Sequence, residues 1–464
     1  MTKYIFLIFI LFSTRIFGQG YKIELNLEAA ANKEIQLAHH YLGKIYVDDT
    51  THIDARGIGI LKGDSLLHQG LYKIYLDGNN HFDFLLGADQ QFSLSNKTFA
   101  ANTMEVKGST DTEEFVKYIV YLDDMRARSN KLRKELDEAP EDNKQKIQEN
   151  LEKITEDLHD YWAKTGKKYP DLFISKFMVA NYVQPLDVTN LPKEVQNNDS
   201  LLLLARFKYQ HDHYWDNFDY TDERFLYTPF YKPKLETWYK NVLYPAYDSV
   251  KPEVYQFLED IKPNKRIFQY ATSYFLNSSI NSNIVGMDAL FVDLAKDFYL
   301  SGEAFWTSEE SLKKIRENVL FMENNLIGKT APDLTMENVD GEFYNLHQIE
   351  SKVTVVLIYE PNCSHCKVFV PEFYKDVYLP YKDKGLEVFA IYTMDNKEEW
   401  TEFLTKNDMY EWINVWDKHH VSRFKILYDA RKTPGVFVLD ENKKIITKNL
   451  TNKQLKKLIQ EELG

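Results

Sequence analysis

Apolar and polar side chains alternate early in the chain, where Ile23, Leu25 and Leu27 are interleaved with Lys22, Glu24, Asn26 and Glu28. A period of two is the signature of a strand with one buried face. Tyr72, Ile74 and Leu76, then Phe82, Phe84 and Leu86, flank Asp77-Gly78-Asn79-Asn80, a tetrad suited to a hairpin turn. Several such segments at short spacing predict a small all-β sandwich or barrel over residues 21–107. From Gly108 the period lengthens. Thr110 and Glu113 fit a capping box, and Phe115, Ile119, Leu122 and Met125 follow at helical spacing. After Pro140, Ile147, Leu151, Ile154, Leu158 and Trp162 repeat that spacing, so two long charged helices form an αα-hairpin whose stripe is a packing seam. The pattern stays helical, with Tyr- and Trp-rich interruptions, and residues 108–325 read as an all-α domain.

Beyond Leu326-Ile327-Gly328-Lys329 the order changes again. An apolar β-branched run, Val353–Tyr359, precedes a helical stretch from Ser364. Strand Leu386–Tyr392, a helix through Trp400 and Leu404, strand Gly435–Leu439 and a last helix from Asn452 complete the alternation. Strands alternating with helices predict an α/β domain over residues 326–464. The chain therefore reads as multidomain: all-β, then all-α, then α/β, without internal repeats.

Composition narrows the class. At ~100–200 residues per domain, 464 residues make roughly two to four domains. Lys and Arg total 57 against 70 Asp and Glu, a net charge of −13, which gives no electrostatic basis for binding nucleic acid. Lys3, the apolar run 4–12 and the spacing of Gly18 and Gly20 have the parts of a secretory signal peptide, predicted as residues 1–20. The run is too short to cross ~30 Å of hydrocarbon, and no Cys follows it to carry a lipid. The mature chain is expected outside the cytoplasm, in the periplasm, without a stable membrane anchor.

Only two cysteines occur, Cys363 and Cys366. A bridge between them closes so short a loop that it constrains the unfolded chain little, which makes a structural staple the weaker explanation. The sequence Cys363-Ser364-His365-Cys366 directly after an apolar strand places the first sulfur at a helix start. Unpaired N–H groups and the macrodipole there favour a thiolate, the nucleophilic form. Cys366, one turn on, sits where it can resolve a mixed disulfide. Such a dithiol needs no cofactor. A zinc site would want a second Cys pair, and haem attachment would want His where Lys367 stands.

Residues 327–464 resemble the thioredoxin-like superfamily, and within it the extracytoplasmic TlpA-like thiol–disulfide reductases. The resemblance rests on Cys363-Ser364-His365-Cys366, on Pro371 five residues beyond the second Cys, and on Thr433-Pro434 before a strand. It implies that Pro371 kinks the active-site helix, that Thr433-Pro434 is a cis-proline loop facing the sulfurs, and that Gly328–Asp333 with Asp340-Gly341 belong to an N-terminal hairpin. It also implies a reductase of disulfide-bonded envelope proteins, supplied by a membrane or periplasmic electron donor. Pro361-Asn362 replaces the usual Trp, Leu357 stands where thioredoxin has a buried acid, and Phe369 where TlpA-like proteins often have Glu. His365 also occurs in oxidising relatives, so an oxidase or isomerase is the alternative. The first 325 residues, including His213 to Asp219, resemble domains of unknown function found ahead of such redox domains; a third reading makes them an envelope-protein or glycan-binding module beside a vestigial redox domain.

Other features have plainer readings. His211 and His213 with Asp212 and Asp216 lack a further ligand at metal-binding spacing, and His39-His40 and His419-His420 are isolated doublets. The aromatic residues from Tyr209 to Tyr231 are expected to pack beneath the helical domain rather than line a groove. Lys443-Lys444 and Lys456-Lys457 are expected as surface charges.

Overall fold

Eight strands open the computed structural model, which describes residues 20–464; the predicted signal peptide, apart from Gly20, lies outside the described residues. They are β1 (Lys22–Asn26), β2 (Glu34–Tyr41), β3 (Lys44–His52), β4 (Ile58–Lys62), β5 (Gly70–Tyr75), β6 (His81–Leu86), β7 (Gln91–Asn96) and β8 (Met104–Lys107). They form two four-stranded sheets, β4-β1-β7-β8 and β3-β2-β5-β6. Inward side chains of both sheets, among them Ile23, Leu25 and Phe92 with Leu37, Ile74 and Phe84, make one core, so the all-β part is a sandwich. The β5–β6 hairpin turns at Asp77, whose carboxylate accepts from the N–H groups of Asn79 and Asn80 at 2.9 and 3.0 Å.

The helix Thr110–Glu138 follows, then Glu141–Lys168 after Pro140. The cap lies one residue earlier than the sequence suggests. Ser109 is the N-cap, its hydroxyl pairs with Thr112 Oγ1 at 2.9 Å, and Glu113 accepts from the Gly108 N–H at 3.1 Å. Thr110 is thus the first residue inside the helix, and Thr112 Oγ1 donates to the Leu85 carbonyl at 2.7 Å.

Two compact units divide the chain at residues 243 and 244. The second unit begins with helices Tyr247–Ile261, Lys265–Ile280, Met287–Leu294 and Glu309–Met322. Seven further strands follow: β9 (Thr335–Glu337), β10 (Phe343–Asn345), β11 (Val353–Tyr359), β12 (Leu386–Tyr392), β13 (Ile413–Trp416), β14 (Gly435–Leu439) and β15 (Ile445–Lys448). Their order is β10-β9-β13-β12-β11-β14-β15, with β11, β12 and β13 parallel and β14 antiparallel to β11. Every residue of β11 is buried, as its β-branched apolar sequence requires of a central strand covered on both faces. Val355, Leu357 and Tyr359 face a core shared with Cys366 and the last helix, Asn452–Leu463; Val356 and Ile358 face the opposite core.

Lys443 corrects the surface reading. Its backbone turns through φ 63°, which points the side chain inward, and Nζ donates to Thr354 Oγ1 at 2.8 Å with the residue 3% exposed.

Candidate active site

Strand β11 ends at Tyr359, and a tight turn closed by Cys363 N–H donating to the Glu360 carbonyl at 3.1 Å leads into the helix Ser364–Phe373. Cys363 is the N-cap of that helix, with extended backbone (φ −71°, ψ 123°). Its sulfur therefore sits over the free N–H groups of the first turn. Both cysteines are free thiols; Cys363 is half-buried and Cys366 fully buried.

The Cys363 thiol donates to the Thr433 carbonyl at 3.3 Å, so the loop Thr433-Pro434 lies against the first sulfur. The Thr433–Pro434 peptide bond is cis. Burial alone would raise the Cys363 thiol, but hydrogen bonds from the Thr433 side chain, from Cys366 and from the His365 backbone outweigh it and bring the group down to about 7. Burial pushes Cys366 up to about 11, and the neighbouring sulfur adds to the rise. One thiol is thus ready to ionise near neutral pH and the other stays protonated there.

Ser364 and His365 are exposed on the first helical turn. Pro371 lies within the same helix, which passes into a wider turn over Tyr374–Tyr378. A proline there has no N–H to offer the Lys367 carbonyl. Leu357 is buried and Phe369 half-buried, so neither position supplies a proton carrier.

Sequence reasoning missed a supporting layer. Asn362 donates to Glu399, whose other carboxylate oxygen accepts from the Tyr392 hydroxyl at 3.2 Å. Trp400, stacked on Tyr392 with ring centroids 5.4 Å apart, donates its indole N–H to the Tyr359 hydroxyl at 2.8 Å. The residue before Cys363 and the last residue of β11 are thereby tied to one helix, Lys397–Lys406. The only available signal was the departure at Asn362 itself.

The features set aside stand apart from the dithiol. His213 pairs with Asp216 at 2.7 Å, His211 with Asp212 at 3.0 Å, and His39 with Asp48 at 2.7 Å. Among the described residues no cluster of three or more His, Cys, Asp or Glu side chains could hold a metal. Tyr214, Phe218, Phe225, Tyr227 and Tyr231 are buried in packing contacts, as expected of that aromatic stretch. Among the described residues no helix is long and apolar enough to cross a membrane.

Comparison with known proteins gives residues 327–448 a match to the AhpC/TSA family. No curated protein matches the chain. A domain of a possible thiol-disulfide isomerase from Cytophaga hutchinsonii is 36% identical, with 30% of this chain aligned to 93% of that one and a TM-score of 0.28. A thioredoxin-like protein from Bacteroides caccae is 19% identical, aligned over 60% of this chain and 97% of its own, at a TM-score of 0.45. A thiol:disulfide interchange protein from Bacteroides sp. is 22% identical over 30% of this chain and 91% of its own, at a TM-score of 0.28.

Proposed function

We propose that this chain, whose C-terminal part is a thioredoxin-like thiol–disulfide oxidoreductase domain of the AhpC/TSA family, reduces disulfides of envelope proteins through Cys363 and Cys366. The Cys363 thiolate attacks one sulfur of the substrate disulfide. A Cys363–substrate bond forms, the substrate S–S bond breaks, and one substrate thiolate leaves to take a proton. Cys366 then gives up its proton and attacks Cys363 Sγ, which forms the Cys363–Cys366 disulfide and releases the second substrate thiolate. Two electrons pass to the substrate. A thiol donor in the membrane or periplasm returns the pair to the dithiol. The N-terminal segment, with Lys3 before the apolar run 4–12, supports a location outside the cytoplasm.

The observation that carries the reading is a half-buried Cys363, 3.3 Å from the Thr433 carbonyl, with a fully buried Cys366 one turn on; a Cys363 thiol brought down to about 7 agrees with the reductase direction. Thioredoxin, a reductant at ~−270 mV, has a thiol near ~7, whereas the oxidant DsbA, at ~−120 mV, has one near ~3.5. The Thr433-Pro434 loop, within hydrogen-bond reach of Cys363, is placed to hold the substrate chain beside the sulfur.

Equilibration with glutathione tests the direction: a potential close to thioredoxin's supports a reductase, and one near DsbA's assigns an oxidase. The Cys366→Ser variant should hold substrate proteins on Cys363 as mixed disulfides, identifiable by mass. An empty trap from an envelope extract would remove the proposal.

A further inference from the structure

One edge of the dithiol opens into a groove of about 1180 Å³ within the second unit. That exceeds the ~300–1,000 Å³ of most small-molecule sites. The groove starts at Ser364, His365 and Pro434, the residues beside Cys363 and Thr433. Its first wall continues along the same helix face through Val368, Phe369 and Glu372, residues one turn apart. Its second wall comes from outside the redox domain: the end of helix Lys265–Ile280, the segment 281–284, and Asn318 and Met322 of helix Glu309–Met322.

This wall is fastened to the redox domain beside the active site. Arg431, two residues before Thr433, donates to Asn318 Oδ1 at 2.8 Å, lies 4.4 Å from the Phe321 ring and is braced by the Asp429 carboxylate at 2.8 Å. Lys448 pairs with Asp288 and donates to the Asn325 side chain at 2.8 Å. These contacts join the two walls on the Arg431 and Lys448 sides of the groove.

The lining chemistry selects an occupant. Its carboxylates, Asp288, Glu372 and Asp429, are matched by Arg431, Lys432 and Lys448, so in a chain of charge −13 the groove is neutral. Arg431 and Lys448 already serve Asp429 and Asp288, which leaves Lys432 as the single lining cation among the described residues to meet the several carboxylates of a small anionic disulfide such as glutathione disulfide. Ser279 and Asn281 donate to the Leu276 and Asn277 carbonyls at 3.0 and 2.8 Å, which leaves Asn281 Oδ1, the Ser282 hydroxyl proton and the Asn283 amide to meet the donors and acceptors of a peptide backbone. Val368 and Ile284, 60% and 42% exposed, offer apolar contact. A glycan could use the hydroxyls and amides but would bring no sulfur to Cys363.

We infer that the groove binds an extended, uncharged polypeptide segment flanking the substrate cysteine, and that the helical wall at residues 279–284 sets this preference over small anionic disulfides. The inference rests on the reductase reading for its sulfur chemistry but not for its binding. The test uses the full-length protein and the double variant Asn283→Asp, Ile284→Asp, which charges a segment where Ile284 is exposed. A labelled neutral peptide of about twelve residues, ~40 Å when extended, is prepared with a central cystine and also with Ala in its place. Anisotropy should show the Ala peptide binding the wild type and weakening about tenfold in the variant, the scale of a few lost contacts. The variant's kcat/KM for the cystine peptide should fall by a similar factor, while that for bis(2-hydroxyethyl) disulfide stays within about twofold. Equal peptide binding by wild type and variant, or displacement of the peptide by neutral oligosaccharide, overturns the groove assignment. Peptide binding without reduction of either disulfide instead overturns the reductase reading and leaves the groove standing. Circular dichroism and the Cys363 alkylation rate establish that the variant is folded.

Discussion

Lys234 in the first unit and Cys363 in the second are both ionisable groups moved well away from their ordinary values, yet only one is placed to do chemistry. Lys234 is 7% exposed, and burial with no carboxylate beside it brings its ammonium down to about 8. Its Nζ donates to the Ala180 carbonyl at 2.9 Å and lies 5.1 Å from the rings of Tyr214 and Phe218. Everything around it is packing. Cys363 reaches about 7 through hydrogen bonds to the thiolate, is half-exposed, and directly precedes Ser364, where a groove begins. A displaced pKa marks a site only when its cause stabilises the reactive form and a reactant can reach it.

Mutation should separate the two most sharply in the rate of disulfide reduction. Cys363→Ala removes the nucleophile, and insulin reduction by the full chain should fall on the order of 10³-fold or more. Lys234→Met keeps the volume and discards the charge, and the same assay should stay within about twofold of wild type. A comparable loss from both variants would erase the distinction.

Stability should rank the residues the other way. Lys234→Ala opens a cavity and strands the Ala180 carbonyl, at a cost of about 2–4 kcal/mol in urea unfolding followed by circular dichroism. Lys234→Met fills the space but strands the same carbonyl, so it should cost about 1–3 kcal/mol, less than the Ala variant. The pH dependence has a definite sign. The folded-state value of about 8 lies below the unfolded value of 10.5, so between these the unfolded chain binds more protons and the Lys234 contribution to stability rises with pH. The wild type should therefore gain stability relative to Lys234→Met as pH rises from 8 to 10.5, and the two stability curves should diverge.

The contrast also shows how much the sequence could disclose. Strands β11, β12 and β14 are legible because apolar, β-branched-rich runs, interrupted in β12 by Glu387, signal strands buried on both faces. The dithiol is legible because its spacing is local. Strands β13 and β15 are too short to give a period, and Lys443 is hidden because a single left-handed turn residue reverses a side chain that composition assigns to solvent. Asn362, Glu399 and Arg431 are illegible for another reason. Their partners lie 37 residues away for Asn362 and 113 for Arg431, and no local pattern encodes a contact at that distance.

Thiol reactivity sharpens the comparison within the site itself. Alkylation of Cys363 by iodoacetamide should follow the thiolate fraction with a midpoint of about 7. Its rate should rise about tenfold between pH ~6 and ~8. Cys366, held at about 11 and fully buried, should stay unmodified over that range. Equal labelling of both sulfurs by mass spectrometry would show that their environments do not differ as described.

The smallest expected effect isolates one hydrogen bond. The Thr433 carbonyl accepts from the protonated thiol, whereas the Thr433 side chain favours the thiolate. Thr433→Val keeps the shape and the carbonyl and removes only the hydroxyl, so the midpoint of Cys363 should rise, by up to about one unit. Near pH ~7 the lower thiolate fraction should slow reaction with a small disulfide about two- to fivefold. Above pH ~9 both proteins are mostly thiolate, and the more basic sulfur is the better nucleophile, so the variant should be faster by up to about threefold. The two pH–rate curves must cross. A variant slower at every pH would mean that Thr433 holds the loop in place rather than tuning the sulfur, and parallel curves would remove its hydroxyl from the account of why Cys363 ionises.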